Sequence, residues 1–367
     1  MYYRNLDTPC IVVDLDKLEK NINYMQKLAN SHNLELWPMI KTHKSQYIVE
    51  EQLKAGAKGI LVAKLSEAEK LVAAGVKRVM LAYPIIGENK LERLCKLAKG
   101  VEVYCSVDSV EAAIILNEKA KEKDLVFNTI IIVDSGLRRL GIQPHETKGF
   151  YNRIKELKNI EIVGVATHGG HVYGATDKTQ VDAAAQQEVS SIKNAVNQLE
   201  EIGVSCKVAA IGSTPTIKAL KDFEGIKQIR PGNYVFHDTV QMALGAATEE
   251  SCSLSVLATI ISIPEGGRAV MDAGSKILCL DAGAHGNDHI KGFGRIKGYP
   301  DIVIKGLSEE LGRLEYNPER VKLEIGQVIE IIPNHSCTVV NTADKLYGIR
   351  NNQLEREIEV TARGMTF

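Results

Sequence analysis

Hydrophobic residues recur along the first two thirds of the chain in two alternating rhythms. Short, nearly continuous apolar runs occupy 34–40, 59–63 ("GILVA"), 78–84 ("RVMLAYP"), 101–107 ("VEVYCSV"), 128–134 ("NTIIIVD"), 160–168, 207–213 and 228–232. Between them lie longer stretches, such as 66–75, 109–124 and 180–203, whose apolar positions fall three and four apart. The first rhythm predicts strands buried on both faces, and the second predicts amphipathic helices laid over them. Ser66 and Glu69 stand at capping-box spacing at the start of one such helix, and Gly75 stops it. Eight strand–helix units in succession predict a (β/α)8 TIM-type barrel. An open doubly wound sheet is the weaker reading, because no glycine-rich turn follows the first run.

Past about residue 245 the helical period disappears. Strand-like runs at 254–264, 268–274, 276–280, 313–317, 327–333, 338–342 and 355–364 are separated by glycine turns. This texture predicts a second, mainly antiparallel β domain. The expected division is a barrel over 8–245 and a β domain over 246–367 that also takes residues 1–7, with the strand at 8–14 a candidate member of either.

Composition narrows the classes. The 367 residues exceed what one core usually serves, and a hydrophobic share of 44% with 25% charged residues is that of a soluble globular protein. A net charge of −1 argues against nucleic-acid or anionic-membrane partners. No apolar run approaches the ~20 residues that span a bilayer. No N-terminal stretch of basic then apolar residues is visible, so no secretory signal is expected. The seven cysteines are scattered and never form a CxxC pair, which fits reduced thiols in a cytoplasmic protein.

Chemistry in such barrels sits at the carboxyl ends of the strands. There the sequence places Lys41, Lys64, Asp108, "DSGLRRLG" (134–141), "HGGHVYG" (168–174), "GSTPT" (212–216) and "RPGNY" (230–234). The last two follow the seventh and eighth strands, where barrels often hold phosphate, and their glycines and hydroxyls suit an anion. Two tight turns punctuated by Pro215 and Pro231 are the plainer reading. A phosphate cradle facing a strand-end lysine points to pyridoxal 5'-phosphate, whose aldehyde Lys41 would hold covalently.

The segments "DTPCIVVDLDKLEKNI", "PMIKTHKS", "VAKLSEAE", "DSGLRRLG", "THGGHVYG", "GSTPT", "RPGNYVFHD", "MDAGSK" and "PNHSC" together resemble the fold-type III pyridoxal-phosphate enzymes. The resemblance spans essentially the whole chain. Within that class they are most similar to the D-threonine aldolase and D-serine dehydratase group, relatives of alanine racemase. The resemblance implies that Lys41, rather than Lys44, carries the cofactor, and that Arg139 reaches its phenolic oxygen. It implies that His168 lies against the ring and that Tyr173 hydrogen-bonds the ring nitrogen. Ser213, Thr214, Gly232 and Asn233 would hold the phosphate. It also implies a homodimer with the site near the interface.

His335 and Cys337 are two apart in "PNHSC". On a strand both would face one way and could share a metal, and imidazole with thiolate favours Zn²⁺. A structural histidine beside a small buried cysteine is the bland alternative. The resemblance implies a divalent metal here, zinc first and manganese second. A metal beside the cofactor would bind a β-hydroxyl and so suits a lyase of 3-hydroxy amino acids; that these are D-amino acids is what the resemblance implies. In the resembled group a cysteine at this place goes with the dehydratases and an oxygen ligand with the aldolases, so the resemblance implies, through Cys337, a dehydratase of the D-serine type narrowly ahead of an aldolase of the D-threonine type. An amino-acid racemase is the alternative enzyme, and a cofactor-carrying regulatory protein the non-enzyme reading. His43 and Lys44 stay open between cofactor neighbours and solvated side chains. Lys64 reads better as half of a structural ion pair than as a rim charge. Asp272 and Lys276 match a motif without a derived role, and His285 and His289 read better as surface-loop residues than as metal ligands.

Overall fold

The computed structural model describes residues 1–73, 75–282 and 290–367. After a first strand, β1 (Cys10–Asp14), helix α1 (Leu15–Ser31) begins where the Asp14 carboxylate accepts from the Lys17 amide. Eight parallel strands follow: β2 (Glu35–Leu36), β3 (Ile60–Val62), β4 (Arg78–Leu81), β5 (Glu102–Val107), β6 (Phe127–Ile132), β7 (Ile160–Ala166), β8 (Val208–Ile211) and β9 (Gln228–Ile229). The helices that alternate with them are α2 (Gln46–Ala55), α3 (Leu65–Ala73), α4 (Glu88–Ala98), α5 (Val110–Glu122), α6 (Thr147–Ile154), α7 (Lys178–Glu200) and α8 (Thr214–Ala219). The strand order is β2-β9-β8-β7-β6-β5-β4-β3. Its two ends meet, since the Lys58 amide donates to Leu36 O (3.0 Å), Leu61 to Pro38 O (2.9 Å), and Met39 bridges Leu61 in parallel. This is the expected barrel. Its strands are apolar on both faces because the helices cover the outside while Trp37, Leu61, Met80, Ile130, Ile132, Val163, Val208 and neighbours fill the inside.

The first barrel strand differs from the expectation. The run at 34–40 keeps only two residues in regular pairing. The ladder to β9 nevertheless runs on past Pro38, through Trp37 N to Ile229 O and Met39 N to Pro231 O, both 2.9 Å, because the amide that Pro38 lacks would face β3, where its carbonyl accepts from Leu61. The chain then tightens into a 3-10 turn, Ile40–Thr42, and Lys41 rides on this turn rather than on a strand end.

Past a short helix α9 (Thr239–Ala243), the chain forms a mainly antiparallel sheet: β10 (Leu254–Ser262), β11 (Arg268–Met271), β12 (Arg295–Ile296), β13 (Val303–Leu307), β14 (Gly312–Glu315), β15 (Val328–Ile332), β16 (Lys345–Arg350) and β17 (Gln353–Glu359). β1 joins it, antiparallel to β10 and parallel to β16. Two expected strands are short helices instead. Residues 276–280 overlap α10 (Ser275–Leu278), and 338–342 overlap α11 (Ser336–Val340). In α11 the β-branched run Thr338–Val339–Val340 misleads, because burial of Val339 and Val340 against the core outweighs a weak strand preference. α11 packs on the turn that carries Lys41. The cap of α3 also differs. Glu67 accepts from the amides of Ala63 (2.8 Å) and Lys64 (3.1 Å), while Ser66 is tied to Phe367 and Glu69 to Arg93.

Candidate active site

The carboxyl ends of the barrel strands and the start of α11 enclose one cavity of about 420 Å³. Lys41, Arg139, His168, Tyr173, Ser213, Thr214, Gly232, Asn233, His335 and Cys337 all line it, so every residue expected to hold the cofactor or the metal reaches one space. His335 and Cys337 arrive by a different route from the one expected. They flank Ser336 at the start of α11 rather than sharing a strand face, and the helix turn brings both inward.

The anion side shows which groups are free to act. The Thr214 hydroxyl is buried without a partner. Ser213 caps α8, its Oγ 2.8 Å from Thr216 Oγ1. Asn233 turns its side-chain amide to Asp238 (Nδ2–Oδ2 2.5 Å), which leaves its main chain for an anion. A buried hydroxyl aimed into a cavity without a partner is costly unless a ligand satisfies it, so these residues fit a phosphate group.

Burial lowers the His168 pKa to about 3, and the cations of Lys41 and Arg139 push the same way. Its Nδ1 lies 2.5 Å from Gly212 O, and a carbonyl only accepts, so the neutral ring carries its proton on Nδ1. Burial likewise raises the Tyr173 phenol. Burial opposes charge on His335 and Cys337, yet their mutual attraction wins: the imidazole is pulled up and the thiol down. His335 Nδ1 lies 3.0 Å from Asp281 Oδ1, and Cys337 Sγ 3.3 Å from Thr42 Oγ1. An imidazole held by a carboxylate through one nitrogen, with a thiolate at the other, is a donor set that fits a zinc-type ion.

Four residues of this neighbourhood escaped the sequence reading. Glu188 is fully buried on α7, and it accepts from the amides of Gly169 (2.7 Å) and Gly212 (2.8 Å) and from Thr216 Oγ1 (2.6 Å). Burial raises its pKa against those donors. A Cβ on Gly169 would lie 2.8 Å from the Glu188 carboxylate, so only glycine allows this approach. Its signal was available: Glu188 falls on the buried stripe Val181, Ala184, Ala185, Ile192. Asp238 accepts from Asn233, from the Gln241 amide and from the Ser336 amide (2.9 Å), joining the barrel to α11. Asp281 and Arg230 carried no comparable signal. The Arg230 guanidinium is buried, lowered to about 10 by that burial, and its Nη2 donates to Thr167 O at 2.6 Å.

Other candidates settle elsewhere. His43 and Lys44 are buried rather than solvated, and neither lines the cavity. His43 stacks edge-on to Phe236. Lys44, at φ 49°, reaches Met365 O (3.1 Å) and Glu67 (3.4 Å). Lys64 does line the cavity and, among the described residues, has no carboxylate partner, contrary to the expected ion pair. Asp272 accepts from Thr8 and the Thr259 amide, and Lys276 pairs with Glu310, so both are structural. His285 and His289 lie outside the described residues.

Residues 13–240 match the family "Alanine racemase, N-terminal domain", and 253–349 match a "Putative serine dehydratase domain". The chain is 31% identical to the D-threo-3-hydroxyaspartate dehydratase of Delftia sp. (strain HT23), over 90% of this chain and 91% of that protein. It is 26% identical to the D-threonine aldolase of Arthrobacter sp, over 98% and 94%. The solved structure of a cysteine-to-alanine mutant of D-threo-3-hydroxyaspartate dehydratase, in the metal-free form, superposes with a TM-score of 0.91 at 28% identity, covering 98% of each chain.

Proposed function

The chain belongs to the alanine racemase N-terminal domain family as a pyridoxal-phosphate-dependent lyase of D-amino acids, and within that class we propose that it is a metal-dependent dehydratase of 3-hydroxy D-amino acids. The observation that carries this reading is the His335–Cys337 pair sharing one cavity with Lys41. Lys41 would hold the cofactor's aldehyde carbon, Arg139 its phenolic oxygen and Tyr173 its ring nitrogen, with His168 beside the ring. Thr214, Ser213 and the main chain of Gly232 and Asn233 would hold the phosphate. His335 and Cys337 would hold the metal, zinc before manganese, with Asp281 orienting the imidazole. When bound, the cofactor supplies an electron sink for the α-carbon and the metal a Lewis acid for the β-oxygen.

The residues' own work follows. Lys41 Nζ, once the substrate's amine has displaced it, would take the α-proton, and the electron pair of the broken C–H bond would expel hydroxide from the β-carbon. The released enamine tautomerises and hydrolyses to a keto acid and ammonia. His168, held neutral, adds no competing positive charge beside Lys41. In the aldolase alternative the β-hydroxyl loses its proton instead, and the Cα–Cβ bond breaks to glycine and an aldehyde. The thiolate donor in the metal pair favours the dehydratase.

Incubation with D-serine and D-threonine, with and without zinc or manganese, tests this. Keto acid that disappears on chelation supports the dehydratase, and glycine with aldehyde overturns it in favour of the aldolase. Metal-independent conversion of one enantiomer into the other would mean a racemase. We further propose a cytoplasmic homodimer, which sedimentation at micromolar concentration checks.

A further inference from the structure

Lys64 is a cation of the cavity that the proposed chemistry leaves without a task. Among the described residues, four cationic side chains line the space: Lys41, Lys64, Arg139 and Arg230. Lys41 and Arg139 are assigned to the cofactor. Arg230 is buried and donates through Nη2 to Thr167 O, its Nε having no hydrogen-bond partner among the described residues, whereas Lys64 is only partly buried. The carboxylate nearest to Lys64 in sequence, Glu67, is already committed. It accepts from the amides of Ala63 and Lys64 and pairs with Lys44 at 3.4 Å. The Lys64 ammonium instead rests 5.4 Å from the centroid of the Tyr83 ring, on the cavity wall.

Its place in the barrel says what it would meet. β2 leads into the turn of Lys41 and has two neighbours in the closed sheet. On the β9 side lie Gly232 and Asn233, which the cofactor's phosphate would occupy. On the β3 side lies Lys64, followed by Tyr83 after β4. The metal-ligand pair sits over the same turn, with Cys337 against Thr42. Lys64 and Tyr83 line the same cavity as Lys41, His335 and Cys337, so a further substituent on a substrate reacting there has this wall within its space. The hydrogen of serine or the methyl of threonine offers an ammonium nothing, whereas a carboxylate pairs with it.

Resting on the lyase reading above, we propose that Lys64 binds the side-chain carboxylate of a dicarboxylic 3-hydroxy amino acid and so sets a preference for that substrate class.

The test compares wild type, Lys64→Gln and Lys64→Arg, each loaded with pyridoxal phosphate and zinc. Titration calorimetry with succinate and with propionate reads the site without turnover. A lost charge-assisted contact should weaken succinate binding about thirtyfold in Lys64→Gln, leave propionate within about threefold, and return largely in Lys64→Arg. The ratio of kcat/KM for D-3-hydroxyaspartate to that for D-serine should fall by a similar factor, chiefly through KM. Equal losses for both acids or both substrates would overturn the proposal, as would no loss for either. A wild type that turns over no 3-hydroxy amino acid would sink the functional reading, while the calorimetry would still judge Lys64.

Discussion

At the scale of single residues, the cavity depends on side chains that organise others. Glu188 holds the turns after β7 and β8 through three hydrogen bonds, so its loss should loosen both His168 and the anion cradle together. Glu188→Ala leaves the Gly169 and Gly212 amides unsatisfied in a buried place and returns the Thr216 hydroxyl to its bonds with Ser213. It is expected to cost about 3 kcal/mol of stability and to weaken pyridoxal phosphate binding at least tenfold, measured by chemical unfolding and by cofactor titration. Cys337 stands at the other pole. If Cys337 is one of two metal ligands as proposed, Cys337→Ala should lower zinc content from near one per chain to below about 0.1 while the cofactor's visible absorbance stays. Retained zinc would remove the thiolate from the metal site.

At the scale of elements, local rules explain most of the chain and fail where tertiary contacts intervene. Gly164 in β7 is a clear case. The β6–β7 register slips between Thr129 and Ile130, and Gly164 adopts φ 148° next to the slip. A Cβ there would stand 1.9 Å from Val208 O, so the bulge and the close β7–β8 approach both require glycine. Gly164→Ala is expected to destabilise by roughly 3 kcal/mol or more, read as a lowered urea midpoint. The turn of Lys41 is the second case: the apolar run before it reads as a long strand, and past Met39 the chain tightens into a 3-10 turn. The third is α11, where three β-branched residues in a row sit in a helix. The alternation that exposed eight barrel strands was legible because both faces of each are buried, whereas short elements of the β domain lack a period long enough to read.

At the scale of the whole molecule, barrel and sheet are joined by many polar contacts, the Ser336 hydroxyl donating to His237 O and the Thr239 amide to Pro333 O among them. Asp238 to Ser336 and Cys337 to Thr42 span the seam, and Lys44 ties the segment near Met365 to the turn beyond Lys41. The buried histidines make the assembly sensitive to acid. His43, His168 and His237 are each lowered to about 3 by burial. An unfolded histidine titrates near 6.5, so below that pH the unfolded chain binds protons the folded chain refuses. Stability from these groups is therefore complete above about pH 6.5 and falls as pH drops toward 3, by at most about 1.4 kcal/mol per pH unit per histidine. Thermal midpoints between pH 7.5 and 5 should decline, and His237→Gln should flatten that decline.

The sequence by itself determined the architecture and which candidate side chains come to one cavity. Apolar periodicity decides which faces are buried, and strand order in a barrel decides which turns share a rim, so Lys41, Arg139, His168 and the two anion turns could be assembled without coordinates. Only the tertiary structure decided which polar groups were already spent. It turned the Asn233 amide toward Asp238, buried Lys44 against Glu67, freed the Thr214 hydroxyl and left Lys64 unpaired on the wall. Hydrogen-bond partners far apart in sequence leave no periodic trace. A single chain pattern records burial, but not which donor meets which acceptor.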